Sequence, residues 1–546
     1  MKIIVIGAVA AGTSAAAKAR RNNEDADITL YDRDQFISYS GCGMPYFLAG
    51  EMTSFSQIIP RDPQFFKEKY EVDVCIRHEV TQIFPDENKI TVRRMEDHTV
   101  FDDYYDYLVL ATGAAAVKLP LEGADAANVF TLRNPGDTKQ IESYMQQHPV
   151  QHATIIGSGF IGLEMAESFS RKGLNVTILE KMPHLNPSLD PDMSRYVEQY
   201  LDTKNIQWVT GAEVTKLTGN AKVDTVHMKH HEPVHTELVL TAVGIRPEIS
   251  LARNAGIELG TTGGIKTDTY MRTSISNIFA CGDCCETFSF IDGQPLYRPL
   301  GSTANKTGRV AGDVITGGSL QFKGISGTGI FRLFDLTVAQ TGMTENEAKA
   351  KGYEPVSIHN TKPDRPAYMG GREMIIKAVA DKGTGRLLGA QIIGYDGVDK
   401  RIDVLSTALY YKASAADLAD LDLAYAPPYS TTRDPVIYTG MIMDNALNRG
   451  RSLIKSDELP SAKDIVIIDT RTAEQYDKGH VEHAVNIPHA NIRAQLAHLP
   501  KNKTYVTYCN KGTTGNAVQN ILLSRGYRAH NLSGGHKHYC CQNKIK

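Results

Sequence analysis

The run ATIIGSGFIG, Ala153–Gly162, decides the fold. A short apolar segment ends at Gly157, and glycines recur at Gly159 and Gly162. A strand that ends on G-x-G-x-x-G and passes into a helix opens a dinucleotide-binding βαβ unit. The helix follows as LEMAESFSRKG, and the next strand, NVTILE, ends in Glu180. That is the spacing of about 20 residues at which an acid can bond a ribose hydroxyl. A carboxylate there suits a free 2′-hydroxyl and repels a 2′-phosphate. NADH is therefore expected, with NADPH left open because Lys181 is adjacent.

A second copy stands at the N-terminus. KIIVIG (Lys2–Gly7) leads through GAVAAG into an alanine-rich stretch ending at Arg21, and DITLYD ends at Asp32. Gly7 and Gly12 are kept, but the middle glycine is Val9. Small residues at such a turn let a diphosphate sit on the helix N-terminus, where free N–H groups and the dipole favour an anion. Two strand ends complete the pattern: YDYLVLATGAAA, with Thr112 and Gly113, and NIFACGDCCE, with Gly282 and Asp283.

These four signals, in this order, resemble the flavoprotein disulfide reductases with two dinucleotide domains, over about residues 1–445. The resemblance implies FAD at Gly7, Gly12, Asp32, Arg33, Thr112, Gly113, Gly282 and Asp283. It implies NAD(P)H at Gly157, Gly159, Gly162, Glu180 and Gly244, with Glu164 lining the nicotinamide side. The expected fold is α/β, with two Rossmann-like domains, an α+β dimerisation domain and a C-terminal α/β rhodanese domain. The expected bounds are 1–149 and 246–324 for the FAD domain, 150–245 for the NAD(P)H domain and 325–446 for dimerisation. A linker at 447–462 and a rhodanese domain at 463–546 follow.

One thiol stands out. In YSGCGMPYF, Tyr39–Phe47, Cys42 lies between two glycines, and the Cys-x4-Cys partner position is Phe47. A single thiolate can still carry electrons, as a mixed disulfide or through a sulfenic acid. Pro45 can start a helix, and a cysteine near a helix N-terminus is expected to have a lowered pKa. The stretch is similar to the S-x-x-C-x-x-P-Y pattern of coenzyme A disulfide reductases, NADH oxidases and peroxidases, and NADH-dependent persulfide reductases, with Ser38 three residues before Gly41. The coenzyme A branch implies a basic cluster for the nucleotide phosphates. Lys18, Arg20, Arg21 and Lys69 are its candidates, with Ser38 also at the substrate. It also implies a homodimer in which Tyr368 (RPAYMGG) and Tyr425 (DLAYAPPYS) reach toward the partner's cysteine, with Tyr429 as a competitor. A phenol can hydrogen-bond a leaving thiolate or protonate it.

A second thiol enzyme closes the chain. D-x-R at Asp469–Arg471, GHVEHAVNIP at 479–488, and a strand ending at Cys509 before CNKGTTG resemble a rhodanese domain. Backbone N–H groups of that loop would cradle a thiolate or persulfide. Many rhodaneses carry an arginine where Thr514 stands, and Lys511 is the nearest cation in sequence, so thiosulfate use is open.

The 546 residues carry a net charge of −3, with 42% hydrophobic and 22% charged residues, ordinary for a globular protein. No long basic run points to nucleic acid, and no apolar run reaches the ~18 residues that span a bilayer. The start MKIIVIGAVAAG could pass for a signal peptide, but its glycines and the acid-ended strand read as folded structure. A cytoplasmic protein is expected. The eight cysteines form no regular framework. CGDCC is claimed by the flavin motif, no metal site is expected, and Cys540 and Cys541 are placed in a frayed tail beside His536 and His538.

The expected function is an FAD-dependent NAD(P)H oxidoreductase that reduces coenzyme A persulfide, polysulfide or coenzyme A disulfide through Cys42, with Cys509 handling sulfane sulfur. The alternatives are an NADH oxidase or peroxidase cycling through Cys42 sulfenic acid, and a sulfur-relay or redox-sensing module that binds a protein partner.

Overall fold

In this computed structural model the described residues are 1–459 and 465–545. The chain divides into two compact units: residues 1–183 with 206–327, and residues 184–205 with 328–546.

The first unit holds both glycine turns, each on its own five-stranded sheet. In one sheet the order is Ile278–Ala280, Tyr107–Leu110, Lys2–Ile6, Asp27–Tyr31, Asp73–Cys75, all parallel. In the other it is Gln207–Thr210, Asn175–Glu180, His152–Ile156, Leu238–Thr241, Val129–Phe130, again parallel. Parallel strands buried on both faces read as continuous apolar runs, and Ile3, Ile4 and Val5 are buried accordingly. In both sheets the glycine turn follows the central strand, where the chain leaves for strands on either side. This is the switch point at which such sheets bind ligands. Each nucleotide sheet has a three-stranded antiparallel companion, one of them His78–Phe84, Lys89–Arg94 and Val100–Tyr104.

The second unit joins an antiparallel sheet, ordered Gly329–Leu333, Leu336–Gly342, Leu387–Gly394, Glu373–Asp381, Pro355–Pro363, to a parallel one. The parallel sheet runs Leu453–Ile454, Arg528–Leu532, Thr504–Tyr508, Ile465–Asp469, Val485–Asn486. Leu453 and Ile454 fall within the expected linker, yet they form the edge strand of this sheet beside Asn531 and Leu532. The expected linker end at 462 and rhodanese start at 463 lie outside the described residues.

The helix Pro191–Asp202 belongs to this second unit, although its sequence follows the second glycine turn. An ionic network explains the placement. Lys377, 2% exposed, lies 3.1 Å from Asp190, 2.8 Å from Asp192 and 3.1 Å from Glu345. Burial works against the ammonium, but Asp192, Asp190 and Glu345 outweigh it and hold Lys377 above the usual lysine range. His359 Nε2 lies 2.8 Å from Asp192, and His538 stacks on the His359 ring with centroids 3.9 Å apart. The end of the chain is therefore not frayed. Helix Gly535–Asn543 buries His538 and Cys541. Asp192, His359 and His538 present ligand atoms within 4.8 Å of one another, but the Lys377 ammonium already engages both Asp192 oxygens, and like charge opposes a metal cation beside it.

Candidate active site

The first glycine turn is built by close approach. Gly7 has φ +105°, and a Cβ on Gly12 would sit 1.8 Å from the Gly7 carbonyl oxygen. The second turn repeats this: a Cβ on Gly162 would sit 2.1 Å from the Gly157 carbonyl oxygen. At Gly159 a Cβ would meet no protein atom within 4 Å. Val9 stands at the matching position of the first turn, so the glycine lost is the one whose Cβ would meet no protein atom in the second. Helices Ala10–Asn22 and Phe160–Arg171 both start without a side-chain cap, leaving their first N–H groups to serve an anion.

The two strand-ending acids brace these turns. Asp32 accepts from the Ala8 N–H at 2.7 Å and the Asp34 N–H at 2.8 Å, and burial raises its pKa. Arg33 beside it is exposed. Glu180 accepts from Ser158 N–H at 2.9 Å, Ser158 Oγ–H at 2.6 Å and Met182 N–H at 2.8 Å. A carboxylate offers about four lone-pair sites, so one remains for a ribose hydroxyl. Lys181 is paired with Glu213 at 3.0 Å. Thr112 donates to the Glu248 carbonyl at 2.6 Å, and Gly113 and Gly244 both have positive φ. Asp283 is fixed by Arg133 at 2.8 Å, and Gly282 lies against Ala11 so closely that a Cβ would approach its side chain to 2.7 Å. These open turns, uncapped helices and braced acids fit a dinucleotide at each turn.

Cys42 sits in the turn Gly41–Gly43, followed by the short helix Met44–Ala49. The residue is exposed, yet the walls around its thiol desolvate the sulfur. Its pKa is raised, not lowered as expected from the helix start: desolvation contributes most, the Glu164 carboxylate adds to it, and Arg133 opposes. A six-residue helix has too little dipole to reverse this. The Tyr46 hydroxyl donates to Glu164 Oε1 at 3.0 Å, so Glu164 is held near the thiol.

A cavity of about 440 Å³ at the first glycine turn is lined among others by Lys18, Arg21, Ser38, Arg61, Tyr70 and Arg309. Arg61 and Arg309 come from separate segments, and no motif marks them in the sequence. Lys18 is paired with Asp313 at 3.0 Å, and Arg21 stacks on the Tyr70 ring at 5.6 Å. Lys69 does not line the cavity; its ammonium stands over the Phe65 and Tyr70 rings at 5.2 and 5.6 Å. Arg20 is buried and spends its guanidinium on backbone carbonyls, including Tyr70 at 2.8 Å.

In the second unit, Tyr368, Tyr425 and Tyr429 are 75%, 47% and 72% exposed. Cys509 is buried at the end of strand Thr504–Tyr508. The D-x-R motif positions its loop. Asp469 grips Arg471 with bonds of 2.6 to 3.0 Å, and Arg471 reaches Asn510 at 3.3 Å. The His536 backbone N–H donates to the Cys509 carbonyl at 2.8 Å. His536 is pushed down to about 4 by burial and by Arg471, so its ring is neutral at pH 7. The Cys540 sulfur lies 3.6 Å from that ring. Lys511, the expected cation, is ion-paired with Glu373.

Among the described residues no helix is long and apolar enough to cross a membrane. Residues 1–304 match the pyridine nucleotide-disulphide oxidoreductase family, 330–435 its dimerisation domain and 455–540 the rhodanese-like domain. An "NADH oxidase" of Methanocaldococcus jannaschii is 35% identical over 80% of this chain and 97% of its own. An "NAD(P)H coenzyme A polysulfide/persulfide reductase" of Pyrococcus horikoshii is 35% identical over 81% of this chain and 98% of its own. The crystal structure of reduced Bacillus anthracis CoADR-RHD is 33% identical, covers 99% of this chain and 98% of its own, and superposes with a TM-score of 0.97. With two dinucleotide turns, a lone cysteine and these matches, the chain belongs to the pyridine nucleotide-disulphide oxidoreductase family, FAD- and NAD(P)H-dependent enzymes, and carries a rhodanese domain at its end.

Proposed function

We propose that this enzyme reduces coenzyme A persulfide, polysulfide or coenzyme A disulfide through Cys42, and that Cys509 carries sulfane sulfur. The observation that carries the reading is the cavity of about 440 Å³, which joins four cationic side chains to Ser38 and Tyr39, just before Cys42. Coenzyme A brings several phosphate charges on one end and a thiol on the other. Arginines suit the phosphates because their forked donors match phosphate oxygens. The names of the relatives support the same substrate class.

Bound FAD supplies a two-electron relay between the pyridine nucleotide and the thiol. Cys42, as thiolate, attacks one sulfur of coenzyme A disulfide; a Cys42–coenzyme A disulfide forms and one coenzyme A thiolate leaves. Two electrons then cleave that mixed disulfide, restoring the Cys42 thiolate and releasing the second coenzyme A. With coenzyme A persulfide the same attack on the inner sulfur expels hydrosulfide. The raised pKa of Cys42 makes its charge depend on neighbours: Arg133 favours the thiolate and Glu164 disfavours it. Glu180 and the Lys181–Glu213 pair support NADH over NADPH, since no free cation awaits a 2′-phosphate at those positions.

The exposed Tyr368 and Tyr425, together with the match to a dimerisation domain, support a homodimer in which these phenols face the partner's thiol. The test is anaerobic NADH oxidation with coenzyme A persulfide and coenzyme A disulfide offered separately. Rapid NADH-dependent oxygen uptake, with neither sulfur substrate turned over, would favour the oxidase instead.

A further inference from the structure

The rhodanese-like loop lacks a free cation of its own, since Lys511 is paired with Glu373. A cation comes instead from the antiparallel sheet of the same unit. Lys362, on strand Pro355–Pro363, donates to Thr513 Oγ1 at 3.3 Å, at the first turn of the helix that follows Cys509. Among the described residues it makes no ion pair, and its other partner is the Tyr438 ring, 3.9 Å away. We propose that Lys362 is the electrostatic partner of Cys509, stabilising the anionic sulfur before and after transfer and favouring sulfane-sulfur donors that carry negative charge.

Burial and Lys511 pull Lys362 below the usual lysine range, Arg433 adds to this, and a charged Cys509 pulls it back. Coulomb attraction is mutual, so Lys362 favours the Cys509 anion by the same interaction. Arg471 is committed to Asp469, Lys511 and Lys537 share the single Glu373 carboxylate and leave one net positive charge, and His536 is neutral at pH 7. Lys362 and the exposed Arg433 remain as cations without a carboxylate partner among the described residues. A half-buried ammonium against an aromatic ring is desolvated, which strengthens its hold on a nearby anion.

The step it serves is balanced. Cys509 thiolate attacks the outer sulfur of a persulfide or of thiosulfate; the new bond joins Cys509 Sγ to that sulfur, and the donor's S–S bond breaks. The electron pair leaves on the donor's thiolate, or on sulfite for thiosulfate. The product, Cys509 persulfide, is again an anion beside Lys362.

This inference rests on Cys509 as the sulfur carrier, and its test is independent of turnover. The full chain is alkylated with iodoacetamide and with iodoacetate across pH, and Cys509 modification is followed by peptide mass. Lys362→Met should slow the iodoacetamide reaction at pH 7 about tenfold, because the reacting sulfur is the anion, and slow iodoacetate further. Lys362→Gln should behave alike, and Lys362→Arg should restore the parent profile. Lys511→Met should have a smaller effect. Parent-like alkylation in either neutral variant, or an equal loss in Lys511→Met, would overturn the assignment. A failure of the carrier reading shows separately, as unchanged persulfide turnover in Cys509→Ser.

Discussion

The Tyr46 hydroxyl bonds Glu164 at 3.0 Å, tying the helix after Cys42 to the helix after the second glycine turn. The carboxylate so held helps to raise the Cys42 pKa, and Arg133 acts in the opposite sense. Removing the Glu164 charge therefore lowers the thiol pKa, and removing Arg133 raises it. In iodoacetamide titrations of Cys42, Glu164→Gln should shift the profile to lower pH and Arg133→Met to higher pH. Equal profiles in the two variants would contradict the electrostatic reading.

The glycine turns make a steric prediction. A Cβ at position 12 would lie 1.8 Å from the Gly7 carbonyl oxygen, a separation backbone atoms cannot accept. Gly12→Ala should purify without flavin, whereas Val9→Gly should keep it. Flavin absorbance of the purified proteins reads both.

The cavity predicts a split in kinetic constants. Arg61 and Arg309 line it with Lys18 and Arg21. A charge-assisted hydrogen bond contributes about 1.5–3 kcal/mol, so losing one should raise KM for coenzyme A disulfide roughly 10- to 100-fold. Arg61→Ala and Arg309→Ala should do this while leaving KM for NADH near the parent value. Steady-state kinetics with each substrate varied in turn checks it.

The buried network predicts instability. Lys377 neutralises Asp190, Asp192 and Glu345 in the second unit. Breaking a buried pair by removing one partner costs about 3–5 kcal/mol, so Lys377→Met should unfold at clearly lower denaturant. The acid limb follows from signs. Asp192 and Glu345 are held below the usual carboxylate range in the folded protein. Their contribution is full above the unfolded carboxylate pKa of about 4 and is lost as pH falls below it. The parent should lose stability from about pH 4 downward, and Lys377→Met should show a shallower acid limb.

Much of the site was legible where function depends on local chain. The paired glycines, the strand-ending acids, the Gly-Cys-Gly turn and the D-x-R motif each declare themselves within a few residues. What sequence left out is assembled from distant segments. Lys362 and Thr513 are 151 positions apart, and nothing in PVSIHNTKP marks its lysine as a partner of a later cysteine. Arg61 and Arg309 meet Lys18 only once the first sheet has formed. The same limit explains the pKa of Cys42: its short helix was visible, but the desolvation and the distant Glu164 carboxylate were not. Pro191–Asp202 follows a nucleotide-binding pattern in sequence, and contacts to distant residues, among them Lys377, Gln391 and His538, hold it in the second unit.

The central claim is that Cys42 is the redox thiol. The most direct measurement is anaerobic NADH oxidation by the FAD-loaded parent and Cys42→Ser, with coenzyme A disulfide as acceptor. The account predicts that Cys42→Ser still takes up the electrons of NADH into its flavin but turns over coenzyme A disulfide at least a thousandfold more slowly than the parent, an order-of-magnitude expectation for loss of a covalent nucleophile. Parent-like turnover in Cys42→Ser would contradict it.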